Sequence, residues 1–114
     1  MKNENNSNDI KKLTAYVGFA KKSGRITIGC NLTTDSIRSG GRRSPLVAVC
    51  ASDASKNTKS RIENCCKYYE VPLVKVSVDS LTLGKMVGKD TDVAVVGISD
   101  GQLASAILKY FNQE

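Results

Sequence analysis

From Asp9 onward apolar residues fall at Ile10, Leu13, Val17 and Ala20, the spacing of one face of an α-helix. Asp9 suits its start, Lys21 and Lys22 suit the negative end of its dipole, and Gly24 supplies the left-handed conformation that stops it. Arg25 to Ile28 alternates polar and apolar as a short strand does, and Gly29 then opens a second helix that closes at Gly40 and Gly41. After Pro45, the continuous apolar run Leu46 to Ala51 predicts a strand covered on both faces. Asp53 or Ser55 caps a third helix with a stripe at Thr58, Ile62, Cys65 or Cys66, and Tyr69. Pro72 breaks the chain before a β-branched strand, Leu73 to Val78; Asp79 to Val87 reads as a short helix ended by Gly88. Val93 to Ile98 is a further strand, and Ser99 with Gln102 forms a capping box for a last helix whose inner face is Leu103, Ala104, Ile107, Leu108 and Phe111.

Nine elements alternate as α-β-α-β-α-β-α-β-α with connections of a few residues. That order predicts an α/β fold, a three-layer α/β/α sandwich around a four-stranded mixed sheet. Residues 1–8 are polar and Asn-rich with nothing to bury, so they are expected to form a disordered tail ahead of a single domain over 9–114. At 114 residues the chain is sized for one core, and no apolar run approaches the roughly 20 residues that span a bilayer.

Composition removes whole classes of chemistry. There is no histidine, which excludes Ser/His/Asp triads, Cys/His dyads and imidazole-ligated metals. The four cysteines, Cys30, Cys50, Cys65 and Cys66, contain no C-x-x-C and read as small buried hydrophobes. The N-terminus has no secretory apolar core, and together with unpaired cysteines this fits a reducing cytoplasm. Gly24 to Gly29 has the two-glycine spacing of a Walker A loop, but Cys30 stands where lysine is required. Gly84 to Lys89 has the lysine with one residue too few between its glycines. No G-x-S-x-G occurs, and Asp53, Asp79 and Asp100 sit where helix capping explains them. No cofactor, metal or catalytic residue is expected, and the protein is read as not an enzyme.

Charge is polarised along the chain. The net charge is +6, and residues 21–43 carry Lys21, Lys22, Arg25, Arg38, Arg42 and Arg43 against Asp35 alone. Residues 68–114 are net negative, with four lysines against six acids. A basic stretch of this kind fits a surface that meets phosphate, or simply a solvated face. Within it lies the predicted start of the second helix, Gly29-Cys30-Asn31-Leu32-Thr33-Thr34. A helix start exposes unpaired amide donors and a partial positive charge, and Asn31 adds an amide able to read a base edge, with hydroxyls from Thr33 and Thr34. The plainer reading is that Asn31 and the threonines only cap the helix.

Three segments resemble a known family. They are Arg25-Ile26-Thr27-Ile28-Gly29-Cys30-Asn31 leading through Ser36 to Gly40, then Ala51 to Lys59, and Val71-Pro72 followed by Leu83-Gly84-Lys85-Met86-Val87-Gly88-Lys89. In order and spacing they are similar to the ribosomal-protein superfamily that binds kink-turn RNA, the L-seven-Ae and L-thirty-e group, and to its small bacterial members, over about Leu13 to Phe111. The resemblance implies an α/β/α fold without catalysis. It implies that the second helix enters a widened major groove beside tandem sheared G·A pairs, and that a loop after the third strand packs on an extruded base. Carried over by position, Gly29 lets the backbone approach RNA, Asn31 takes the base-reading place, and Ser77 and Val78 fall in the base-covering loop. Lys22, Arg25, Arg38 and Lys59 supply phosphate contacts, with Cys30, Leu32, Thr33 and Thr34 completing the RNA-binding surface. Two positions depart from the family pattern: Leu32 replaces a common glutamate, and Asp35 replaces a common lysine.

The expectation is a cytoplasmic, monomeric, ribosome-associated protein that binds kink-turn or similar structured RNA, ribosomal RNA included, and no membrane. The alternative is a protein-interaction module on the same fold, its RNA face lost at Leu32 and Asp35 and its helices docking ribosomal proteins.

Overall fold

The computed structural model describes residues 7–42 and 44–111. Most of the tail expected over 1–8 therefore lies outside the described residues. The first helix, α1 (Ser7–Lys22), begins two residues before Asp9, which sits inside its first turn. There the carboxylate still favours the positive end of the helix dipole, without being the cap.

The chain continues through β1 (Ile26–Ile28), α2 (Cys30–Ser39), β2 (Val47–Cys50), α3 (Lys56–Tyr69), β3 (Leu73–Lys75), α4 (Ser80–Met86), β4 (Val95–Ile98) and α5 (Gly101–Phe111). The strands form one sheet in the order β1-β4-β2-β3. β2 and β3 are parallel, joined by the α3 crossover, while β4 runs antiparallel to both β1 and β2. The reason lies in α4, which is only seven residues long and leaves the chain at the end of the sheet where β3 finished. The next strand must start from that end and run back. The mixed four-stranded sheet expected from the element order is the one observed.

Alternation along the strands separates two cores. Val47, Val49, Val96 and Ile98 face α1, α4 and α5, where Leu13, Val17, Ala20, Leu83, Ala104 and Ile107 are buried. Ala48, Cys50 and Val95 face α2 and α3, where Ile37, Ile62, Cys65 and Cys66 close the second layer. Helices on both faces make the three-layer α/β/α sandwich. The strands are shorter than their apolar runs: Leu46 is exposed, and beyond the end of β3 Val76 and Val78 are buried and still bonded to β2 and the residues after it, the Val76 amide donating to the Cys50 carbonyl and the Val78 carbonyl accepting the Ser52 amide.

Caps differ in detail from expectation. Ser55, not Asp53, caps α3 by accepting the Thr58 amide. Asp53 instead accepts the Ser80 amide at 2.8 Å, tying the loop after β2 to the start of α4. Asp79 caps α4, and Asp100 rather than Ser99 caps α5, taking the amides of Gln102 and Leu103. A carboxylate one residue nearer the helix reaches two free amides, whereas the Ser99 amide is already bonded to the Arg25 carbonyl.

Candidate nucleic-acid interface

The register places one end of every strand together. Ile28 pairs with Val96 and Cys50 with Val95, so the ends of β1 and β2 meet the beginning of β4. α2 and α3 both start from this end, on the same face of the sheet.

Gly29 links β1 to α2 with φ 101° and ψ 152°, a conformation open to glycine and strained for any other residue. Its N–H donates to the Val95 carbonyl at 2.8 Å, and its carbonyl accepts the Thr33 amide at 3.0 Å. No side chain caps α2. The N–H groups of Cys30, Asn31 and Leu32 thus have no acceptor among the described residues, and they carry the positive end of the helix dipole. Asn31 and Leu32 are exposed beside them.

Thr33 and Thr34 correct an expectation. Their hydroxyls do not reach the surface: the residues are 0 % and 1 % exposed. Thr33 Oγ1 lies 3.0 Å from Thr27 Oγ1, pinning α2 to β1, and Thr34 Oγ1 donates back to the Asn31 carbonyl. Gly97 makes room for this pin, since a Cβ there would stand 2.6 Å from Thr27 Oγ1. The threonines position the helix start; they are not part of its surface. Cys30 is half-buried, and burial pushes its thiol pKa up while nearby Arg61 pulls it down.

The cations divide between two places. Lys59, in the first turn of α3, stands at the same end of the sheet as Gly29. Lys22 and Arg25 precede β1, roughly 13 Å back along the strand from Gly29 at about 3.3 Å per residue. Arg38 lies in the last turn of α2, 3.7 Å from Asp35 with both side chains exposed, a pair of little energetic weight. The basic stretch 21–43 is therefore continuous in sequence and spread out in space.

Ser77 and Val78 require a second correction. They follow β3, the edge strand opposite β1, about 14 Å from the α2 start at ~4.8 Å per strand. Val78 is fully buried and its carbonyl accepts the Ser52 amide, so it presents nothing to a ligand. The segment that does border α2 is 88–94. The Ala94 carbonyl accepts the Ala51 amide while the Val95 carbonyl accepts that of Gly29, so this loop enters the sheet beside the helix start. Gly88, Lys89, Asp90, Thr91 and Asp92 are all exposed. The ammonium of Lys21 lies 3.0 Å from where a Cβ on Gly88 would be, adding a cation to the loop. Its path depends on Gly84, over which it folds back: a Cβ there would stand 2.1 Å from the Thr91 carbonyl oxygen. Leu83-Gly84 and Gly88-Lys89 were the signal in the sequence for this loop, since a glycine inside a short helix marks a close backbone approach.

Comparison with known proteins fits this geometry. The curated relatives include the RNA-binding protein YlxQ of Bacillus subtilis, 33 % identical over 92 residues covering 81 % of this chain and 87 % of that one. The YlxQ of Enterococcus faecium is 32 % identical over 99 residues, covering 87 % and 90 %. Among solved structures, a protein of unknown function from Bacillus halodurans superposes with a TM-score of 0.77 at 21 % identity, covering 88 % of this chain and 96 % of that one. A Giardia lamblia 15.5kD RNA binding protein superposes with a TM-score of 0.74 at 18 % identity, covering 94 % and 90 %. The two structural likenesses reproduce the fold. The profile of the ribosomal protein L7Ae/L30e/S12e/Gadd45 family matches residues 11–108, all of the sandwich from α1 into α5. By that match and by the identity to its bacterial relatives, the chain belongs to the ribosomal protein L7Ae/L30e/S12e/Gadd45 family.

Proposed function

We propose that this protein binds structured RNA of the kink-turn type in the cytoplasm, as a ribosome-associated, non-enzymatic factor. The observation that carries the reading is the uncapped start of α2, with the amides of Cys30, Asn31 and Leu32 free beside the 88–94 loop, which is exposed over 88–92. The relatives named RNA-binding proteins support it.

The chemistry follows from the parts. Free amides at a helix start meet phosphate or base acceptors, and the Asn31 carboxamide offers both a donor and an acceptor to the edge of a sheared purine. Leu32, 60 % exposed, and the loop opposite supply surface against which an unstacked base packs. Lys59, and Lys89 on the neighbouring loop, draw in the backbone, with Lys21, Lys22, Arg25 and Arg38 reached only by a longer RNA. Gel shift on a kink-turn duplex, and on the same duplex with its G·A pairs replaced, tests the reading. Preference for the intact kink is expected; equal affinity for both would reduce the interaction to phosphate attraction.

A further inference from the structure

The α2 and α3 layer holds a second feature, of which that reading uses only Arg38. The two helices run side by side from the same end of the sheet and enclose a groove of about 440 Å³ lined by Thr34, Arg38, Arg61, Asn64, Cys65 and the Tyr68–Tyr69 pair. A volume of this order falls within the range of small-ligand sites, roughly 300–1,000 Å³. Arg61, Asn64 and Tyr68 recur at i, i+3 and i+7 on α3, a stripe about 10 Å long at 1.5 Å per residue.

We infer that this groove binds a short unpaired run of nucleotides, with a base stacked on Tyr68 and phosphates held by Arg61 and Arg38. Tyr68 is 79 % exposed, a large aromatic face left to water beside two guanidinium groups. Tyr69 lies against it with centroids 4.8 Å apart and ring planes at 74°, and the exposure of Tyr68 leaves ring surface open beside that contact. No carboxylate lines the groove. Arg61 has no ion-pair partner among the described residues, and Arg38 has only the exposed Asp35 at 3.7 Å. Asn64 brings a carboxamide between the ring and the cations, able to donate to or accept from a base edge. Cations along a backbone track with an aromatic platform are the elements of single-strand binding, and an acidic peptide would make no use of the exposed ring face. The identity of the strand as RNA rests on the proposed function; the groove's chemistry stands apart from it.

The chain has four tyrosines and no tryptophan, so its intrinsic fluorescence reports stacking on tyrosine directly. Titration with hexa-adenylate should quench that emission, and Tyr68→Ala or Arg61→Gln should weaken binding about tenfold, the loss of one stacked base or charge contact. A second arm compares a kink-turn duplex with and without a four-nucleotide single-stranded extension. The extension should tighten binding about tenfold in the parent and not in Tyr68→Ala, whose affinity for the bare duplex should be unchanged. Tyr68-dependent binding of hexa-adenylate with no binding of the duplex would uphold the groove and overturn the kink-turn reading. Duplex binding with no gain from the extension, or a gain that survives Tyr68→Ala, would overturn the groove. So would an octaglutamate peptide that binds in a Tyr68-dependent manner where hexa-adenylate does not.

Discussion

Gly84→Ala tests the placement of the 88–94 loop more sharply than any change at the surface. The added methyl would stand 2.1 Å from the Thr91 carbonyl oxygen, and ordinary contact begins at 3.4 Å, so loop and helix must part by about 1.3 Å. Two hydrogen bonds hold them together, Lys89 N–H to the Gly84 carbonyl at 2.9 Å and Val93 N–H to the Ser80 carbonyl at 3.0 Å. Stretching both loses ~0.5–1.5 kcal/mol each, and overpacking adds ~1–3 kcal/mol. A total of about 2–6 kcal/mol is below most of the ~5–15 kcal/mol range for a domain this size, so the variant is expected to stay folded at room temperature with Tm lowered by roughly 8–24 °C. The same displacement draws the loop away from the α2 start, and RNA affinity below Tm should fall about tenfold, ~1.4 kcal/mol. Thermal unfolding by circular dichroism and fluorescence-anisotropy binding at 20 °C measure both. Ser77→Ala is the control: its buried hydroxyl has no partner among the described residues, so its removal should leave Tm and affinity close to the parent's. An unchanged Tm in Gly84→Ala would refute the packing argument. A lowered Tm with parental affinity would remove the loop from the RNA surface, and an affinity loss in Ser77→Ala would return the base-covering role to that segment.

Three further outcomes follow from the geometry. Asn31→Ala should cost about 1–3 kcal/mol of RNA affinity and reduce the preference for intact G·A pairs, measured by competition, with Tm unchanged because the residue is exposed. Lys59→Ala should flatten the slope of log affinity against log salt by ~0.9, whatever the sequence of the duplex, if one phosphate contact is lost. Burial pushes the Cys66 thiol up to about 12 from 9.0. Above pH 9 the unfolded chain gives up that proton while the folded chain keeps it, so the unfolded state binds fewer protons and stability falls as pH rises, by at most ~1.4 kcal/mol per pH unit for this thiol. Urea midpoints from pH 8 to 10.5 should decline less steeply in Cys66→Ala than in the parent; parallel declines would contradict the assignment.

The fold was legible in the sequence because its two periodicities are clean. Ile10, Leu13, Val17 and Ala20 on α1, and Leu103, Ala104, Ile107, Leu108 and Phe111 on α5, all pack on the core they were expected to form. Strand ends were less legible. Val76 and Val78 are as apolar as β3 itself and lie beyond its last paired residue, where contact with β2 and the residues after it continues as separate bonds, Val76 N–H to the Cys50 carbonyl and Ser52 N–H to the Val78 carbonyl; an apolar run records burial and not where regular pairing stops. The cap of α5 shifted by one residue, and of the two candidates before α3 only Ser55 caps, for a similar reason: several polar side chains precede each helix, and the one already spoken for elsewhere does not cap. Asp53 is held by the Ser80 amide, 27 residues away, a partner that no local pattern announces.

The site was legible only where it is local. Gly29, with its positive φ, and the uncapped turn after it are properties of six consecutive residues, and those were found. What faces that turn is decided by the strand order. Because α4 is too short to carry the chain across the sheet, β4 returns between β1 and β2, and the residues before it arrive beside Gly29 from 65 positions further along the chain. An alternative in which β4 added to the outer edge of β3 would have left Ser77 and Val78 nearer the centre and the 88–94 loop on the rim. The same logic scatters the basic stretch. β1 is three residues long, and that is enough to separate Arg25 from Asn31 by the length of a strand, while Lys59 comes to the same end of the sheet from α3. The loss of a cation at Asp35 therefore weighs less than the sequence suggested. Asp35 is one position on a helix whose free end shares its end of the sheet with Lys59 of α3, and its exposed carboxylate already faces Arg38.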